Sequence, residues 1–174
     1  MGLSNGMKKK IFSRGFTLVE LLVVIALIGI LATLLLLQLN TARAKARDVQ
    51  RITAVTQIRQ AVELFYNDCG SYPVDVYGTA IDCGATAGVG HFMSSGKVPV
   101  DPNSTTTSTI NYYYGRGTTA SQYQVSAELE QNNGSLKSDA DIPATGWTPT
   151  GKPGGTEACT TAVDDCIFDL GNSL

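Results

Sequence analysis

The chain has 174 residues, room for one modest domain with an extension, and a formal charge of −2. Near-neutral charge excludes a protein that coats nucleic acid along its whole surface. With 43% hydrophobic and 16% charged residues, the composition also excludes a chain that is disordered throughout, and argues against a purely soluble enzyme.

Charge is distributed in blocks. Lys8, Lys9, Lys10 and Arg14 precede residue 16 with no acid among them. A basic band follows at Arg43, Lys45, Arg47, Arg51 and Arg59. From residue 61 onward four cations face thirteen acids. This order fits a membrane-entering N-terminus followed by a water-facing domain.

The first predicted element is a helix over the apolar run Phe16–Leu39, FTLVELLVVIALIGILATLLLLQL. Twenty-two of its residues, 16–37, would extend about 33 Å, which matches a hydrocarbon core of about 30 Å. The basic block before it places the N-terminus in the cytoplasm, although the band at 43–51 puts cations on the far side too. Two alternatives stand beside this reading. Ala42-Arg43-Ala44 has the small-x-small pattern of a secretory cleavage site, but the run exceeds the ~7–15 residues of an ordinary signal core. A plain signal-anchor helix is the other.

Glu20 lies inside the apolar run, where an acid costs about 2.5–3.5 kcal/mol on insertion scales. It has two readings. Thr17-Leu18-Val19-Glu20 fits the S/T-x-x-E capping box of a helix start. Alternatively, the carboxylate forms a buried ion pair with a cation from another chain.

The segment Lys8-Lys9-Lys10-Ile11-Phe12-Ser13-Arg14-Gly15-Phe16-Thr17-Leu18-Val19-Glu20-Leu21-Leu22 resembles the N-terminus of type IV pilins and of the pseudopilins of type II secretion. The resemblance is tight over residues 8–67. It implies a leader peptide at 1–15, cut between Gly15 and Phe16 by a membrane prepilin peptidase that also N-methylates Phe16. It implies that Glu20 neutralises the Phe16 amine of a neighbouring copy during assembly into a helical filament. Opposite charges in a dry bundle attract strongly and either alone is penalised, so such a pair sets helix register. The implied partners are copies of the chain, the peptidase, a membrane assembly platform and, before assembly, lipid. The implied location is the inner membrane as a single-pass precursor, then a surface or periplasm-spanning filament. Gly29 matches a mid-helix glycine of the family. The proline that many pilins carry seven or eight residues later is missing, since Pro73 is the first in the chain, so a more continuous helix is expected.

Beyond the apolar run, residues 40–69 continue as an amphipathic helix. Ile52, Val55, Ile58, Val62 and Phe65 recur at three- and four-residue steps, with Arg59 at the edge of the stripe. Asn67, Asp68 and Gly70 signal its end, so one helix is predicted over about 16–67. The basic band reads as a solvated collar, as a contact for anionic lipid, or as a partner for acids of a neighbouring copy. DNA binding is weakly supported, because the rest of the surface is acidic.

Residues 70–174 are predicted as an exported head. Residues 70–108 read as an irregular connection containing the tract Asn103–Thr109. Strands are predicted at Ile110–Tyr114 and Tyr123–Leu129, with Gly115-Arg116-Gly117 opening the connection between them. Alternation in the second strand predicts one buried face. A third strand is predicted at Cys166–Leu170. The fold class is therefore α+β: a long helix whose second half packs against a small antiparallel sheet.

The cysteines are Cys69, Cys83, Cys159 and Cys166. Four allow three pairings; export favours disulfides, the simplest being Cys69–Cys83 and Cys159–Cys166, and free thiols remain the alternative. No C-x-x-C pair occurs and His91 is the only histidine, so zinc is poorly supported. Asp164, Asp165 and Asp169 could supply oxygen ligands to calcium, or simply form an exposed acidic loop. No other cofactor is indicated. No catalytic constellation or phosphate loop appears, so an enzyme is not expected. Asn103-Ser104-Thr105 and Asn133-Gly134-Ser135 match the glycosylation pattern, which arises often by chance. A pilus subunit is the first functional reading. The alternatives are a secretion pseudopilin and a minor pilin with a binding role in adhesion or DNA uptake.

Overall fold

The structure, a computed structural model, describes residues 15–78, 88–105, 112–143, 145–148 and 166–172. The chain divides into two compact units, Met1–Thr41 and Ala42–Leu174. One helix, α1 (Leu18–Cys69), contributes to both. It is uninterrupted, as the absence of proline predicts.

In the first unit every described side chain from Phe16 to Leu36 is exposed, Phe16 and Leu18 at 79% each. Thr33 returns its hydroxyl to the Ile30 carbonyl at 2.8 Å, the usual way a helix hides a polar side chain in apolar surroundings. A Cβ at Gly29 would meet no atom within 4 Å, so this glycine leaves a gap in the helix surface without being needed by its own fold.

In the second unit α1 buries Ala44, Asp48, Arg51, Val55, Ile58, Val62 and Phe65. These steps of three and four residues form one stripe. The stripe therefore continues two turns further toward the N-terminus than its apolar members suggest, through an acid and an arginine. Ile52 is displaced to its half-buried edge. The helix ends where Gly70 enters the left-handed region (φ +69) and donates its N–H to the Tyr66 carbonyl at 2.8 Å.

Among the described residues, four strands form one antiparallel sheet: β1 (Tyr113–Gly117), β2 (Tyr123–Glu128), β3 (Trp147–Thr148) and β4 (Ile167–Asn172), in the order β3-β1-β2-β4. Two strand boundaries differ from expectation. β1 includes Gly115-Arg116-Gly117, which the glycines had marked as connection; the hairpin closes later, with Gly117 N–H donating to Gln122 O at 2.9 Å. Residues 106–111, including the predicted strand start at Ile110, lie outside the described residues. β4 begins after Cys166, whose φ of +62 breaks the pleat, and runs on to Asn172. At Gly171 a Cβ would collide with the Tyr123 carbonyl, so β4 passes β2 closer there than any side chain permits.

β2 corrects a second expectation. It is buried on both faces, Gln124 and Ser126 as fully as Tyr123 and Val125. One face meets α1 and the other is covered by the loop through Ile142. The core joins Val55, Ile58, Val62 and Phe65 to Tyr114, Tyr123, Val125 and Phe168. Tyr72 lies between Tyr66, on which it stacks, and Tyr123, to which it is tilted, with ring centres 4.4 Å apart in each pair. Glu63 accepts from the hydroxyls of Tyr123 (2.6 Å) and Tyr72 (3.1 Å), which satisfies the polar ends of this aromatic column.

Candidate functional site

The start of α1 is a complete capping box. The first N–H groups of a helix lack carbonyl partners and require side-chain acceptors. Thr17 occupies the cap: its Oγ1 accepts from Glu20 N–H at 3.2 Å. Glu20 Oε2 reaches back to accept from Thr17 N–H at 2.8 Å and from the Thr17 hydroxyl at 2.7 Å. Gly15, Phe16, Thr17 and Glu20 thus lie within one turn of the helix start. The capping reading of Glu20 holds within a single copy. It does not conflict with an intermolecular pair, because a carboxylate has acceptor capacity beyond these two donors. Residues 1–14 lie outside the described residues.

A second charged group, legible only in part from sequence, joins α1 to the sheet. Arg51 is 6% exposed and grips Asp101 with Nε at 2.6 Å and Nη2 at 3.2 Å. Its Nη1 lies 3.3 Å from Asp48 and 3.1 Å from Glu130. Asp48, 1% exposed, accepts the main-chain N–H groups of Glu130 (2.8 Å) and Gln131 (2.9 Å) just beyond β2. Arg47 adds a two-pronged bond to Glu130 at 2.8 and 2.5 Å. The Arg47 hydrogen bonds hold the Glu130 carboxyl below its ordinary range. Burial disfavours the Arg51 charge, but Asp101, Glu130 and Asp48 together outweigh it and raise the guanidinium further. The collar reading of the basic band is therefore corrected at two positions: Arg47 and Arg51 are bound by acids of their own chain. Arg43 and Lys45 are exposed.

The remaining predicted residues separate. Cys69 and Cys166 are each disulfide-bonded, and no described cysteine is free. Cys83, Cys159, Asp164 and Asp165 lie outside the described residues. Asp169 does not belong to an exposed acidic loop: it is fully buried on β4. Its carboxylate accepts from Asp141 N–H (3.0 Å), Ile142 N–H (2.8 Å) and Gln124 Nε2 (3.2 Å). Among the described residues no group of three or more His, Cys, Asp or Glu could hold a metal ion. His91 is exposed on a short 3-10 helix, Val89–Phe92.

A capped helix, apolar and exposed through its first half and tied by its second half to a small antiparallel sheet, is a pilin-like α+β architecture. Residues 12–36 match the family model described as the prokaryotic N-terminal methylation motif. The chain is similar to the type IV major fimbrial protein FimA of Dichelobacter nodosus, with 28% identity over 156 residues, covering 90% of this chain and 94% of that protein. Motif and relative support the type IV pilin family and point to a structural fimbrial protein rather than an enzyme. No solved structure matches the chain.

Proposed function

We propose that the chain is the structural subunit of a type IV pilus or pilus-like filament, made as a membrane precursor with its N-terminus inside. A prepilin peptidase removes residues 1–15 and methylates the new Phe16 amine. Copies then pack through their N-terminal helices, while the head formed by residues 70–174 faces outward. The observation that carries this reading is the exposed apolar surface of α1 directly behind Gly15-Phe16 and the Thr17–Glu20 box. Its length and composition suffice to cross a membrane. A helix apolar on all sides needs either lipid or other helices around it, and self-packing supplies the second after the first.

The test is to shear filaments from cells and sequence the N-terminus of the dominant band. The expected start is N-methylated Phe16. A chain beginning at Lys45 would instead indicate ordinary secretory cleavage, and a trace amount in the filaments would indicate a minor subunit. The export implied here also favours disulfides, the simplest pairing being the sequential Cys69–Cys83 and Cys159–Cys166. Non-reducing peptide mapping is expected to recover these two linkages; a Cys69–Cys159 peptide would refute the pairing.

A further inference from the structure

The loop after the second 3-10 helix (Gly134–Lys137) lies on the outer edge of β4, the last strand of the sheet. Edge strands leave main-chain groups unpaired and need cover. Here both main-chain groups of Asp169 are taken by the loop. Its N–H donates to Asp139 Oδ2 at 3.3 Å, and its carbonyl accepts from Ala140 N–H at 3.1 Å. The Asp169 carboxylate holds the same loop from the other direction through the Asp141 and Ile142 amides. Asp141 adopts φ +47, the left-handed conformation that lets successive amides turn toward one carboxylate.

Two carboxylates therefore fasten one loop to one strand from opposite sides: Asp139 takes the Asp169 amide, and Asp169 takes those of Asp141 and Ile142. Asp139 Oδ1 is buried and meets no hydrogen-bond donor among the described residues. An ionised oxygen in that position is penalised by lost hydration and by the neighbouring charge. The charged groups acting on Asp139 are both acids, Asp169 from β4 and Asp141 from its own loop. On that face of β2 the buried Gln124 and Ser126 are uncharged, and Glu128, like Lys137 of the 3-10 helix, is exposed.

We propose that residues 139–142 form an acid-held clasp on the sheet edge, closed over β4 when Asp139 is protonated and loosened when it ionises. Burial, reinforced by the charges of Asp169 and Asp141, raises the Asp139 carboxyl to about 6, against the pull of the Asp169 amide. A carboxyl raised in the closed form stabilises closure fully below its ordinary value, and that stabilisation is lost as pH rises through about 6. The clasp stands independently of filament assembly.

Hydrogen exchange of the Asp141 and Ile142 amides, measured on the full chain in detergent micelles and corrected for intrinsic rates, tests it. Protection is expected to be roughly tenfold higher at pH 5 than at pH 7.5. Asp139→Asn, neutral throughout, is expected to hold the higher protection at both. Equal protection of the parent chain at the two pH values, or a pH response that survives in Asp139→Asn, overturns the proposal. If that variant does not fold, a carboxyl-carbon NMR titration of Asp139 in the parent chain decides. A midpoint near 6 that tracks the loss of protection supports the clasp, and one at the ordinary value of about 3.9 overturns it.

Discussion

Glu20→Gln is expected to produce a subunit that enters the membrane and folds but is not incorporated into filaments. The capping box accepts glutamine, whose side-chain oxygen can still receive the Thr17 amide and hydroxyl. The substitution therefore preserves the helix start and removes only the charge. On the proposed reading, the Phe16 amine of the next copy then enters the bundle without an anion. A buried charge stripped of its partner costs about 3–5 kcal/mol, which corresponds to a loss of a hundredfold or more at each addition step. Sheared-filament yield set against membrane-fraction subunit reads this directly. Glu20→Ala would lose cap and charge together and should assemble no better. Normal filament yield from Glu20→Gln would show that Glu20 serves only as a cap and would remove the charge-register mechanism from the account.

Arg51→Met is expected to destabilise the second unit by about 3–5 kcal/mol, the cost of leaving a buried acid uncompensated. Methionine fills similar volume, so the effect isolates the charge. Asp101 loses both of its guanidinium bonds, and Asp48 keeps only its two main-chain donors. Thermal unfolding of the full chain in micelles should shift down by on the order of 10 °C. Arg51→Lys should fall between, because an ammonium keeps the charge but cannot span Asp101 with a planar fork. A shift of less than 1 or 2 °C in Arg51→Met would mean that the cluster is neutral in balance, as some buried ion pairs are once desolvation is counted.

What the sequence disclosed follows the range of the physics that writes it. The helix start was legible because its signals are consecutive: a threonine, a glutamate three residues on, then an unbroken apolar run. The stripe Val55, Ile58, Val62, Phe65 was legible because helical period is local. Its polar continuation through Asp48 and Arg51 was not, since that pair, read alone, looks like an ordinary solvated i,i+3 contact. Only Asp101, fifty positions away, and Glu130, beyond β2, turn it into an anchor. Glycine misled the strand boundary in β1. Gly115 and Gly117 look like turn residues, yet a Cβ at Gly115 would run into the Tyr113 hydroxyl of its own strand and press on Trp147 Cβ of β3 at 3.2 Å, so glycine there leaves room for the tyrosine side chain and for the neighbouring strand. β3, two residues long, is too short to carry a period. Asp169 was grouped with Asp164 and Asp165 by adjacency. Its true neighbours, Asp141 and Ile142, come from a loop some 27 residues earlier, and nothing in a linear reading joins them.

The Asp48–Arg51 anchor has a mechanical consequence. An apolar stripe resists separation but yields to sliding, because one greasy contact is readily exchanged for the next along the axis. Bonds from Asp48 to two consecutive amides, and from Arg51 to Asp101, each have one geometry. Tension applied along α1 therefore reaches the sheet as shear concentrated on these few polar bonds, and their rupture, more than the stretching of the greasy seam, would set the force at which helix and sheet part.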